Sequence, residues 1–164
     1  MAADQRPLGS LPQQTLPGAG IRFAALLIDF VASTVLLLPV FFAVGATGLT
    51  GGLSELTRRL IVAALMLLYF VGFQAWVGWS PGMRVLGLRV RGAGNASKPS
   101  FAAALIRNCY LLVLIATPDT DLFALISFAI ALNIGYTISK SPTHQGIHDR
   151  LAGGTQVVAY QRYR

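Results

Sequence analysis

Ile21–Phe42, IRFAALLIDFVASTVLLLPVFF, decides how the rest of the chain is read. A helix rises 1.5 Å per residue, so about 20 apolar residues cross the roughly 30 Å hydrocarbon layer, and this stretch is long enough. It nevertheless carries Arg22 at its start and Asp29 seven residues later. That spacing is close to two turns, which puts both side chains on nearly one face, about 10 Å apart along the axis. Asp29 then lies about a third of the way into the hydrocarbon, where a charge costs about 2.5–3.5 kcal/mol on insertion scales. Such a carboxylate faces protein or water and calls for a partner.

Composition supports the same class. Charged residues are 12% of the chain and hydrophobic residues 54%. Soluble domains carry about 25% charged residues, so water alone would solvate this surface poorly and a membrane protein is expected. The formal net charge of +7 is spread around apolar spans, which fits membrane topology better than nucleic-acid binding. Cys109 is the one cysteine, so no internal disulfide and no CxxC metal framework is expected.

Working outward, residues 1–20 are rich in Pro, Gly and Gln and are expected to be a disordered tail. Span one should run from about Ile21 to Val44, with Pro39 kinking or fraying its end. Ser54 is placed to cap span two, about Arg59 to Trp79, where Trp76 and Trp79 suit an interfacial belt. SPGMRVLG reads as a short interfacial helix with Pro81 in its first turn. Leu86–Gly92 alternates like a strand, and Thr155–Tyr160 has strand character too. The two are expected to pair in a ribbon supported by the helices. Span three, Phe101–Thr117, is interrupted by Arg107 and Asn108 and stopped by Pro118, Asp119, Thr120 and Asp121. Span four runs from about Leu122 to Ile138. Both are short, which suggests tilt or partial insertion.

The expected fold is therefore an all-α membrane protein: a four-span helical bundle, third span short or tilted, with a small cytoplasmic two-stranded β ribbon. Its transmembrane domain covers 21–160, and 161–164 form a short basic tail. In that topology 11 Lys and Arg residues fall on one side and 2, Arg58 and Arg59, on the other. The bias puts both termini in the cytoplasm with four spans, and the plasma membrane is the expected location.

The chain resembles the RDD family of integral membrane proteins, named for one arginine and two aspartates. The resemblance rests on R-F-A-A-L-L-I-D at Arg22–Asp29, G-W-S-P-G-M-R-V-L-G-L-R-V at Gly78–Val90, R-N at Arg107–Asn108 and H-D-R-L-A-G at His148–Gly153. It covers about Ile21 to Tyr160 and implies Arg22, Asp29 and Asp149 as the naming residues. Met83 departs from the Lys that family members often carry there. The resemblance also implies that sodium/proton exchange is one activity found among relatives, without fixing it for this chain.

From these residues a polar cluster is expected: Asp29 contacting Arg107 at similar depth, completed by Gln74 or Asn133. Asp149 lies just outside the membrane, capping a helix or pairing with Arg22 or Arg84. An arginine binds a carboxylate in two-pronged fashion and stays charged when buried. One reading makes Asp29 a proton or cation site, since burial and a nearby arginine move its pKa in opposite directions; the other makes it part of a structural ion pair. His144 and His148, one helical turn apart, lack a third ligand and are expected to be solvated or interfacial, so no metal site is assigned. Neither a Walker loop nor a dinucleotide fingerprint nor a nucleophile–base pair is present, so no catalytic residue and no cofactor is expected. Two functions follow as expectations. The chain is an accessory, assembly or scaffolding subunit in a larger membrane complex, or it is a cation/proton exchanger using Asp29 as a homo-oligomer. Its partners are the lipid bilayer and such a complex or second copy, not nucleic acid.

Overall fold

The computed structural model describes residues 14–48, 51–116 and 121–160. Strand β1 (Gln14–Thr15) leads into the long helix α1 (Ala19–Ala46). Helix α2 (Glu55–Val77) follows, then the short helix α3 (Pro81–Val85) and strand β2 (Leu88–Arg91). Helices α4 (Phe101–Asn108) and α5 (Tyr110–Ala116) come next. The chain ends with α6 (Asp121–Lys140), α7 (Ile147–Leu151) and β3 (Gln156–Tyr160).

Three helices, α1, α2 and α6, are long and apolar enough to cross a membrane. Their side chains are distributed as a bilayer requires. On α1 the buried residues are Arg22, Ala25, Asp29 and Ser33, while Phe23, Leu27, Val31, Val35 and Leu38 are exposed. Polar and small groups face inward, large apolar ones outward, which is the pattern for a helix bathed in hydrocarbon. Pro39 does not end α1, which continues to Ala46. Ser54 caps α2 as the sequence suggests, its Oγ accepting the Thr57 N–H at 3.2 Å.

The expected third span is not a single helix. Phe101–Ile115 is apolar but shorter than the three long helices, and it is divided at Cys109. The Asn108 side chain donates back to the Ala104 carbonyl at 2.7 Å, competing with the backbone ladder at the point where the helix breaks. The residues thought to stop this span, Pro118 to Thr120, lie outside the described residues.

The ribbon is present with one strand more than expected. β2 and β3 pair antiparallel with Val90 opposite Val157, and β1 adds to the other edge of β3, giving the order β1-β3-β2. Residues 14–20 are thus part of the fold rather than tail; the rest of the predicted tail, 1–13, and the basic residues 161–164 lie outside the described residues. The sheet packs Leu88, Val90 and Val157 against Ala25 and Met83. A second core joins Tyr69 and Phe70 of α2 to Leu111 of α5. Gly78 caps α2 with a left-handed φ of 80°. Its carbonyl accepts the Val90 N–H at 2.7 Å, tying the end of α2 to β2.

Candidate functional site

Two buried carboxylates organise the bundle, and each has its own partners. Asp149, in α7, is 0% exposed. Its Oδ2 accepts from Arg22 Nη1 at 2.9 Å and from the Gly146 backbone N–H at 3.1 Å. Its Oδ1 accepts a short bond from Arg107 Nη1. Arg22 also donates Nη2 to the His144 carbonyl at 2.6 Å and Nε to the Pro17 carbonyl at 3.1 Å. His144 adopts a left-handed φ of 49°, which turns its carbonyl out of the regular chain direction. Arg107 Nη1 further reaches Thr155 Oγ1 at 3.3 Å, just before β3. One carboxylate therefore joins α1, α4, α7 and the sheet. Two guanidiniums share it, leaving one net positive charge in the knot.

Asp29 is held by donors without a cation. Tyr69 OH and the Gly82 N–H donate to its Oδ1 at 3.0 and 2.8 Å, and Ser80 Oγ donates to its Oδ2 at 2.5 Å. Pro81 at the first position of α3 has no N–H to offer, so Gly82 presents the first free donor of that helix. Asp29 reaches across from α1 and receives it.

The contact expected between Asp29 and Arg107 is not made. α7 instead folds under the bundle and presents Asp149 to both arginines. Of the alternatives for Asp149, Arg22 is its partner and Arg84 is not: Arg84 lies over the Trp79 ring at 4.4 Å. Gln74 does not complete the Asp29 cluster either. It exchanges hydrogen bonds with Asn108, whose Nδ2 donates to Gln74 Oε1 at 3.0 Å while Gln74 Nε2 donates back at 3.4 Å. Asn133 is exposed and lines a separate hollow with Ile106, Cys109 and Leu151, so it does not join the cluster. Sequence reasoning passed over Tyr69, Thr155 and the hydroxyl role of Ser80. Only Ser80 and Gly82 lay in a quoted motif, and a motif does not say which atom donates.

His148 is buried rather than solvated, at 9% exposed. Its ring meets Tyr110 edge-on at 5.5 Å, and Nε2 lies 3.5 Å from Asp149 Oδ1. Burial, with the charges of Arg107 and Arg22 beside it, pushes the imidazole down to about 2. At about pH 7 it is neutral in the fold. Above about pH 6.5 it is neutral in the unfolded chain as well, and this group adds no pH dependence. Below that, the unfolded chain takes up a proton that the fold refuses, so stability falls with pH. The loss from this residue reaches about 2 kcal/mol by pH 5, at 1.36 kcal/mol per unit. Melting curves between about pH 8 and pH 5 should therefore slope more steeply for the wild type than for His148→Gln; equal slopes would contradict this assignment.

Arg22, Asp29, Gln74, Arg107, Asn108 and His148 all line one cavity of about 400 Å³ between α1, α2, the α4–α5 pair and α6. Among the described residues no group of three or more His, Cys, Asp or Glu side chains could hold a metal ion.

No curated protein and no solved structure matches the chain. The family model described as RDD family matches residues 16–153, a stretch that contains both carboxylates, both arginines of the knot and every helix among the described residues. The chain belongs to the RDD family.

Proposed function

We propose that this RDD-family chain is a non-catalytic subunit of a larger assembly in the plasma membrane, with an accessory, assembly or scaffolding role and both termini cytoplasmic. The observation that carries the reading is the commitment of Asp149. Its carboxylate bonds both buried arginines, and those bonds tie α1 and α4 to α7 and the start of β3. A carboxylate tied to two guanidiniums acts as a staple, since separating any member leaves a buried charge uncompensated.

Topology supports the cytoplasmic assignment. β1 and β3 share a sheet, so α1 leaves from the side on which the chain ends. α2 returns to that sheet through Gly78, the α4–α5 pair leaves it again, and α6 comes back to α7 and β3. This order fits the proposed four passages, of which the third, about 24 Å long at 1.5 Å per residue, is short for a full crossing. The bias of 11 Lys and Arg against 2 places the sheet inside. Helix α6 then offers Leu125, Phe128, Leu132 and Tyr136, all exposed, to lipid or to a neighbouring subunit.

Extraction in mild detergent after cross-linking in the membrane tests this. A partner at fixed stoichiometry is the expected result; a chain recovered only alone would overturn the reading. A second reading, a sodium/proton exchanger acting as an oligomer, is favoured by Asp29, which no cation bonds among the described residues and which lines the cavity.

A further inference from the structure

The cavity inside the bundle combines a charged end with apolar walls, and its chemistry is not used up by the chain itself. Arg107 is 4% exposed, and only its Nη1 is engaged, on Asp149 and Thr155. Its Nε and Nη2 have no hydrogen-bond partner among the described residues. His148 lines the same cavity, but its unpaired Nδ1 lies against Gly146 and is closed off from the space. Charged donors in protein interiors are nearly always paired, so the unpartnered edge of Arg107 on this cavity marks a polar demand that something else meets. The knot beside it carries an excess of one positive charge. Asp29 lines the same cavity but makes no ion pair with either arginine among the described residues, its oxygens being held by Tyr69, Ser80 and Gly82.

The apolar walls include Phe23, Leu26, Phe70, Leu114 and Ile134. Small residues, Gly20 on α1 and Ala131 and Gly135 on α6, lie on facing sides of the space. α6 is packed lightly: 6% of its apolar window is buried, against 33% for α2. The cavity is therefore bordered by two helices, α1 and α6, that expose large apolar side chains on their other faces. The volume of about 400 Å³ lies within the range of ligand sites, about 300–1,000 Å³.

We propose that this cavity binds an anionic lipid-like amphiphile, whose phosphate or carboxylate head meets the free edge of Arg107 and whose acyl tail lies along Phe23, Leu26 and Ile134 and leaves between α1 and α6. A guanidinium edge suits an oxyanion because its N–H groups lie in one plane and bond two oxygens together. In a low-dielectric cavity that bond is worth more than it would be in water. The site is independent of the partner proposed above and would exist in the isolated chain.

The test uses the full chain purified in detergent, with dioleoylphosphatidylglycerol, dioleoylphosphatidylcholine and inorganic phosphate as probes. Native mass spectrometry and melting curves are the readouts. Replacing Arg107 would endanger the fold, so the cavity is filled from α6 instead by Gly135→Leu and Ala131→Phe. A Cβ at Gly135 meets nothing within 4 Å, and Ala131 is exposed, so both variants should fold. The expected result is one tightly held phosphatidylglycerol per chain, with phosphatidylcholine about tenfold weaker and both filled variants weakened about tenfold at unchanged melting temperature without lipid. Equal binding of the two lipids would overturn the proposal, as would undiminished binding by the filled variants. Inorganic phosphate reproducing the whole stabilisation would also overturn it, because the tail would then play no part.

Discussion

Asp149→Asn is expected to be the most damaging single substitution in the chain. Arg22 and Arg107 are 8% and 4% exposed, and Asp149 is the carboxylate to which both donate. Removing one member of a buried ion pair costs about 3–5 kcal/mol, because the remaining charge is left uncompensated. Here two charges are left, against a typical total stability of about 5–15 kcal/mol. Asparagine keeps the size of the side chain, so packing is not the cause of the loss. Removing all three charges together, as Arg22→Met, Arg107→Met and Asp149→Met, should recover part of it, since no unpaired charge then remains. Size-exclusion profiles after graded heating in mild detergent would show this: collapse of Asp149→Asn at temperatures the wild type survives, and an intermediate triple variant. A single variant melting within a few degrees of wild type would contradict the account.

Gly82→Ala is expected to have the next largest effect, and its sign is decided by competition. Alanine is favoured over glycine within a helix by up to about 1 kcal/mol. A Cβ at this position, however, would overlap the Ala25 carbonyl oxygen and come 2.9 Å from the Asp29 carboxyl carbon. The nearest obstruction is backbone of α1, which has no rotamer to change, so α1 and α3 must separate. Overpacking costs about 1–3 kcal/mol and sometimes more, and separation also breaks the Gly82 N–H bond to Asp29. A net loss of about 3 kcal/mol follows from the clash and the lost bond together. Ser80→Ala removes a single donor from the same carboxylate and should cost about 1 kcal/mol. Thermal melting of the two variants checks the order; a Gly82→Ala protein as stable as wild type would show that α1 and α3 do not approach this closely.

The membrane architecture was legible because it depends on averages along single segments. Hydropathy located α1, α2 and α6, and helical spacing put Arg22 and Asp29 on the inward face of α1. The β2–β3 pairing could be read from alternation and turn residues at each end. Pairing across the bundle could not. Arg107 and Asp29 are opposite charges on apolar segments, which makes them natural partners on electrostatic grounds alone. Two local facts override that attraction: Asp29 is already saturated by hydroxyl and amide donors gathered around the start of α3, and α7 brings Asp149 between the two guanidiniums. Neither follows from hydropathy, because both depend on where short helices of five residues fold back against the bundle. β1 was missed for a related reason. Two residues carry no periodicity, and their strand exists only because the edge of β3 is there to receive it.

The reading of this chain as a subunit held by its buried charges, rather than as a transporter, is tested most directly by ion flux. The purified chain is reconstituted alone into proteoliposomes with a pH gradient, and dissipation is followed on adding sodium or potassium. No flux above empty vesicles is expected from the wild type or from Asp29→Asn. Rapid sodium-dependent dissipation by the wild type, abolished in a folded Asp29→Asn protein, would contradict the account and make Asp29 the ion-carrying group.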